Sequence, residues 1–427
     1  MSLLALLTSR PVVTPDPDPA PTVEYVVRRQ VAADCWRTGR VTTTRTGDKT
    51  YASPHRVRAH GRDLRLTYGG NLPAGVTMPL SVSVLHKGAR YRATFGGATT
   101  WTMTGDVPVT SDPIPGLTVT PGDEVLVFTH YGPRSDGGQH PAAPGGWYSR
   151  EILDGDQTET GVPRTDQSLK YDGYNGYRPV MPHAITGMTE ATQRAVVLLG
   201  DSITESGSPA LDSLTAHASA QRTWAHRAVD LTHPVANTAL WASTYATARA
   251  GVWTTLPDLS HFTHAVAAWG YNDINQAHQT GKALSTVQTT ALASWKWVRS
   301  EGPLLWQATI SPNTTSTDGW ATVEGQTPVA ATPMRLAYND WLRDGAPLTA
   351  DGSAPAAVGS TGTLRAGQAG HPLAGVIDQA AKISTTPNSG IFRVDRGALT
   401  GDGGHPNATG HALMAEAAQA WWSAITT

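Results

Sequence analysis

Five short, nearly continuous apolar runs in the second half of the chain restrict its fold more than any other feature. They are RAVVLLG (194–200), HPVAN (233–237), HAVAAWG (264–270), PLLWQATISP (303–312) and AGVIDQ (374–379). A strand with one wet face alternates apolar and polar residues, whereas a run without alternation predicts a strand buried on both faces of a parallel sheet. Between the runs lie Ala-rich stretches of helical character, SLTAHASAQRTWAHRAVDL and LSTVQTTALASWKWVRS, and the chain closes on the amphipathic ATGHALMAEAAQAWWSAI. Strands alternating with helices predict a doubly wound α/β domain over 191–427. Within it, 344–372 is low in complexity and reads as an inserted surface loop.

The first half has a different rhythm. From 23 to 133, β-type runs such as LSVSVLH and EVLVFTHY recur between turn residues, and Leu80, Val82 and Val84 alternate as half-buried strands do. This predicts an all-β, jelly-roll-like sandwich. Residues 134–190 are rich in Gly, Asp, Tyr and Pro and read as an irregular connector. Its Trp147, Tyr148, Tyr171, Tyr174 and Tyr177 either stack on sugar rings or pin a long loop. Residues 1–22, ending in TPDPDPAPT, read as a Pro-rich tail that is either disordered or docked on a larger assembly.

Charge and cysteine content exclude several functions. With 32 Lys and Arg against 34 Asp and Glu, the net charge of −2 argues against nucleic acid or an anionic membrane as the main partner. One cysteine, Cys35, leaves no internal disulfide framework and no Cys-based zinc site, and it reads as a small buried hydrophobe. No apolar run approaches the ~18 residues of a membrane span. The opening MSLLALLTSRPVV lacks a basic n-region and an A-x-A-like site, so it is a poor secretory signal.

In open α/β sheets the site lies beyond the carboxyl ends of the strands. After RAVVLLG come Asp201 and Ser202; after HPVAN comes TALWAST, with Ala242; after HAVAAW comes Gly270-Tyr271-Asn272-Asp273; and Asp402-Gly403-Gly404-His405-Pro406 precedes the last helix. Ser202 alone could be a helix N-cap. The set points to more. A serine hydroxyl becomes a nucleophile when a neutral imidazole takes its proton, and a carboxylate must fix that imidazole's tautomer. Asp402 and His405, three apart in a turn, can do this for Ser202. The N–H groups of Ser202 and Ala242 and the amide of Asn272 are candidate oxyanion donors.

At these residues the chain resembles the SGNH (GDSL-type) hydrolases. Gly200-Asp201-Ser202 matches the nucleophile block, Gly270-x-Asn272-Asp273 the asparagine block, and Asp402-x-x-His405-Pro406 the last block. The second block usually reads N-x-G-x-x-G-x-T; here Asn237 to Thr244 carries alanine, Ala239 and Ala242, at both glycine positions. Upstream, RLTYGG, RATFGG, SDP and PGDEVLVFTHY resemble the β-sandwich that precedes the hydrolase domain in a bacterial subgroup. The resemblance covers roughly 60–132 and 190–427. It implies a flavodoxin-like hydrolase domain and a serine esterase, often a carbohydrate O-deacetylase, that works without metal or other cofactor.

Other candidates fall short. His261 and His264 form an H-x-x-H pair without the H-E-x-x-H pattern. Asp154-Gly155-Asp156 starts like a calcium loop but lacks the later ligands. The expected function is hydrolysis of small, acetyl-type esters on a carbohydrate or cell-envelope substrate, by an extracellular or virion-associated protein. The alternative is an attachment protein, such as a phage tail or surface component, whose hydrolase-like domain recognises a glycan.

Overall fold

The computed structural model describes residues 23–33, 35–36, 41–42, 46–69, 72–142, 150–152, 169–170, 180–205, 223–229, 232–249 and 256–426. The tail, the candidate stacking aromatics at 147–177 and the Asp154–Asp156 segment lie outside them.

The five apolar runs are the strands of one parallel sheet. Its order is Val235–Asn237, Val196–Gly200, His264–Ala268, Leu304–Ala308, Leu373–Ile377, with Cys35–Trp36 added beside Val235–Asn237. Numbered along the chain, these five strands run 2-1-3-4-5, the doubly wound order whose direction of winding reverses beside the first strand. Alternate residues feed two cores. Val197, Leu199, Ala265, Ala267 and Leu305 join one cluster; Val196, Leu198, Val266, Ala268 and Trp306 join the other. Helices cover both faces, which is why the runs carry no polar alternation.

Helix Leu284–Ser300 shows how the sequence fits its place. It buries Val287, Ala291, Leu292, Trp295 and Val298, an i, i+4, i+5, i+8, i+11 stripe, and Trp295 stacks on Trp341 of helix Thr332–Arg343 at 5.5 Å and 13°. On the opposite face, Trp224 of helix Trp224–Val229 and Met414, Ala418 and Trp422 of helix Ala408–Thr426 close the second core.

Two antiparallel sheets occupy the first half. One orders Val27–Gln30, Ala184–Thr189, Gly61–Tyr68 and Ile114–Val119, with Val109–Thr110 beside Gly61–Tyr68. The other runs Leu169–Lys170, Arg150–Ile152, Lys49–Arg56, Glu124–Tyr131, Thr77–His86, Ala89–Arg92, with Trp101–Thr104 also on Thr77–His86. Their inward residues, among them Leu64, Leu66, Leu80, Val82 and Val127, share one cluster that continues into the first core of the parallel sheet.

Several strands cross the boundaries drawn from the sequence pattern, Arg150–Ile152 and Leu169–Lys170 of the second sheet among them. Ala184–Thr189 falls in the span read as irregular connector, yet it pairs with Val27–Gln30 and Gly61–Tyr68. Cys35–Trp36 falls in the expected sandwich, yet it pairs in parallel with Val235–Asn237. Residues 344–372 form the turn-rich crossing between helix Thr332–Arg343 and strand Leu373–Ile377. Leu348 is buried there and bridges both Pro355 and Leu364, and Arg365 pairs with Asp344 at 3.2 Å.

Candidate active site

The first and third strands end side by side at the reversal of winding, where a doubly wound sheet opens a crevice. Ser202 follows Val196–Gly200 with only Asp201 between and starts the one-turn helix Ser202–Glu205. The turn is tight: a Cβ on Gly200 would lie 2.8 Å from Thr204 Oγ1. Asp201 braces it from inside, accepting the Ile203 N–H at 3.0 Å, while its carbonyl accepts Glu205 N–H at 2.9 Å.

The structure brings Ser202, His405 and Asp402 into one hydrogen-bonded chain. Ser202 Oγ–H donates to His405 Nε2 at 2.8 Å, and His405 Nδ1–H donates to Asp402 Oδ2 at 2.7 Å. Asp402 Oδ1 also accepts the backbone N–H groups of Gly404 (2.9 Å) and His405 (2.8 Å). Partial burial alone would raise the Asp402 pKa, but those two amides and the imidazole outweigh it and hold the carboxyl below its usual range. Thr400 fixes the loop from below, donating to the His405 carbonyl at 2.9 Å and accepting Gly403 N–H at 2.9 Å.

The two glycines between Asp402 and His405 are packing requirements. Gly403 has φ +83°, and a Cβ there would collide with the Thr314 carbonyl oxygen and come within 2.9 Å of the Trp320 ring. A Cβ on Gly404 would lie 2.5 Å from Tyr271 Oη. Thr314 belongs to the hairpin Thr314–Ser316/Gln326–Pro328, so this hairpin buttresses the loop that carries the imidazole.

Ala242 sits in the turn Leu240–Ser243, where Ser243 N–H donates to the Leu240 carbonyl at 3.1 Å. Its φ is +58°, the left-handed region that a β-turn's third residue takes when glycine is the usual occupant. The alanine therefore reaches the backbone conformation that the usual glycine would supply. Asn272 joins this turn to helix Tyr271–Gln279, its Nδ2–H donating to the Ser243 carbonyl at 3.1 Å. Asn237 ties the turn to the one-turn helix that Ser202 starts, donating to the Thr204 carbonyl at 2.8 Å and accepting Ala239 N–H at 3.1 Å.

Gly270 and Asp273 support the same corner. Gly270 has φ +123°, and a Cβ there would meet Ile310 Cδ1 at 2.6 Å. Asp273 accepts Tyr245 N–H at 3.0 Å. Asp201 and Asp273 are both buried, and desolvation pushes each carboxyl up to about 7, with the Asp201 charge adding to the rise at Asp273.

Beside Ala242 and Asn272 opens a cleft of about 700 Å³. Asn275, Gln276 and Gln279 line it from helix Tyr271–Gln279, and Asn313 and Val329 from the base of the 314–328 hairpin. The sequence reading missed this wall. Its signal was in YNDINQAHQ, where Ile274 and Ala277 are buried while 272, 275, 276 and 279 share another face.

The H-x-x-H pair does not converge. His264 is buried, stacked on Trp306 at 5.4 Å, and desolvation lowers its pKa to about 4; His261 lies 3.9 Å from Asp258. Among the described residues no three His, Cys, Asp or Glu side chains are grouped to hold a metal ion, and no helix is long and apolar enough to cross a membrane.

Solved structures similar to this chain include a protein of the lipolytic G-D-S-L family from Desulfitobacterium hafniense DCB-2, at 16% identity over 53% of this chain and 99% of that one, with a TM-score of 0.34. A GDSL-like lipase from Bacteroides thetaiotaomicron VPI-5482 matches at 13% identity over 54% and 89%, TM-score 0.34. A catalytic mutant of an acetylxylan esterase from Geobacillus stearothermophilus matches at 16% over 52% and 91%, TM-score 0.32. The chain is similar to GDSL-type lipolytic proteins and acetylxylan esterases. No family model and no curated protein matches it.

Proposed function

We propose that this protein is a GDSL-type serine esterase that removes small acyl groups, acetyl above all, from a carbohydrate. The observation that carries this reading is the Ser202–His405–Asp402 chain at the crevice of a doubly wound sheet. With Nδ1–H committed to Asp402, the neutral imidazole presents its Nε2 lone pair to the serine hydroxyl, the tautomer a general base requires. As Ser202 Oγ attacks the ester carbonyl, its proton passes to Nε2. The resulting imidazolium is stabilised by the Asp402 carboxylate, which its three hydrogen bonds keep ionised.

The oxyanion is assigned to the N–H groups of Ser202 and Ala242 and to Asn272. Asn272 Nδ2 carries two hydrogens and commits one to Ser243, so the other remains to donate. Collapse breaks the bond to the alcohol oxygen, which takes the proton from His405 Nε2 and leaves as a hydroxyl. Water, deprotonated by the same imidazole, then cleaves the acyl-serine and regenerates the enzyme. Preference for acetyl follows from Ala242, whose methyl occupies space a glycine would leave open beside the reacting carbonyl.

The test is turnover of p-nitrophenyl acetate and an acetylated polysaccharide by the full chain and by Ser202→Ala. Loss of several powers of ten in the variant is expected; near wild-type turnover would overturn the assignment. The attachment reading rests on the Pro-rich tail, which lies outside the described residues, together with the β-domain that follows it.

A further inference from the structure

Helix Tyr271–Gln279 begins at the proposed oxyanion site and leads away from it along the 700 Å³ cleft. Asn272, Asn275, Gln276 and Gln279 stand at i, i+3, i+4 and i+7, so they form one stripe over two turns. At 1.5 Å per residue the stripe extends about 10 Å from Asn272, far beyond an acetyl group. Across the cleft Asn313 adds a further amide. Gln276, Gln279 and Asn313 make no side-chain hydrogen bond to another described residue, so their donors and acceptors are available to a ligand.

The chemistry of this wall is selective. A primary amide offers a carbonyl acceptor and two N–H donors, which suits hydroxyl groups that both give and accept hydrogen bonds. The lining contains no carboxylate, ammonium or guanidinium group, and its one titratable side chain is the imidazole of His278, so no fixed charge there compensates an ionic ligand. A long acyl chain would desolvate these amides without replacing their hydrogen bonds, which is costly. Val329, Ala330 and Ala331 give the opposite side a short aliphatic surface against which a ring face can rest.

We infer that this cleft is a binding site for an uncharged oligosaccharide, in which the 272–279 amide stripe, with Gln276 and Gln279 as specificity-determining residues, holds sugar units next to the one that carries the ester. This rests on the esterase reading and names the substrate class of the same site. Acidic glycans are disfavoured because the lining holds no lysine or arginine, only the His278 imidazole, and fatty esters by the polar wall.

Two measurements on the full chain separate the two readings. Binding of acetylated xylo-oligosaccharide is measured calorimetrically with Ser202→Ala alone and with Ser202→Ala/Gln276→Ala/Gln279→Ala. Both glutamines are on the exposed face of the helix. The triple variant is expected to bind about tenfold to a hundredfold more weakly, the loss of two ordinary hydrogen bonds. In turnover, Gln276→Ala/Gln279→Ala should lower kcat/KM on acetylated xylan, mainly through KM, at least tenfold more than on p-nitrophenyl acetate. Wild type should prefer acetylated xylan to acetylated pectin, an anionic glycan. Equal binding by both Ser202→Ala proteins, an equal loss on both substrates, or a preference for pectin would overturn the cleft assignment. Glutamine-dependent binding without hydrolysis of any ester would instead overturn the esterase reading.

Discussion

Replacing Ala242 by glycine should stabilise the protein, against the usual effect of that substitution. The left-handed conformation at φ +58° costs an L-residue about 1–2 kcal/mol and costs glycine almost nothing. Glycine gives back about 0.4–1 kcal/mol through the greater freedom of the unfolded chain. Ala242 is exposed, so the lost methyl sacrifices little burial. The expected net gain is about 0.5–1 kcal/mol. Ala293, in the middle of helix Leu284–Ser300, provides the control: glycine there should cost about 1 kcal/mol. Urea unfolding of wild type, Ala242→Gly and Ala293→Gly should give midpoints displaced in opposite directions at unchanged slope. On esters, Ala242→Gly should keep acetyl turnover and relax discrimination against butyryl by about 1–3 kcal/mol, the worth of a methylene in a pocket. If Ala242→Gly destabilises as much as Ala293→Gly, the strain is not there. If wild type cleaves octanoyl as fast as acetyl esters, the methyl does not bound the acyl site.

Other outcomes follow from the same geometry. His405→Ala should cost about as much activity as Ser202→Ala, and Asp402→Asn should be comparable or milder, measured as kcat on p-nitrophenyl acetate. Gly404→Ala should lower kcat by crowding Tyr271 Oη, and Tyr271→Phe in the same chain should restore part of it; no restoration would remove this contact as the cause. Asp201 and Asp273 hold protons more tightly folded than unfolded, so their contribution to stability is greatest below about pH 4 and is lost as pH rises to about 7. The melting temperature of Asp273→Asn relative to wild type should therefore improve from pH 4.5 to pH 8; a constant difference would refute the raised pKa.

The parallel sheet was legible because burial on both faces leaves its mark on every residue of a strand. Strand Lys49–Arg56 was not legible, since its buried positions are partly polar. Thr50 bonds His130 at 3.1 Å and Ser53 bonds His55 at 2.8 Å, so these groups are satisfied inside the sheet and the alternation is hidden. Among the described residues its Pro54 pairs with Leu126 alone, since strand Arg150–Ile152 on the other side pairs with Thr50–Ala52. Ile114–Val119 carries Pro115 and a left-handed Gly116 at a register shift, which reads as a turn. Cys35–Trp36 is too short to have a period at all; its pairing depends on a partner two hundred residues away.

Ser202 was legible because it comes just after a buried apolar run, and Asp402 and His405 because they come just before the amphipathic last helix. What supports them was not, since Thr314 meets Gly403 only through the fold. The second block shows how the two levels combine. Alanine at 242 reads as a departure, and the structure holds it in the left-handed region all the same. Leu240 N–H and Ser243 Oγ–H both donate to the Gly200 carbonyl, at 2.9 and 2.8 Å; Ser243 N–H closes the turn, and Asn272 donates to the Ser243 carbonyl. At about 1 kcal/mol each, these four bonds exceed the strain of one left-handed alanine. Two of them end on Gly200, two residues before Ser202, and a third on the side chain proposed to hold the oxyanion. The turn is thus fixed by the groups it must be aligned with, so on the proposed mechanism a methyl at this position would change the shape of the acyl site while the proposed donor stays in register.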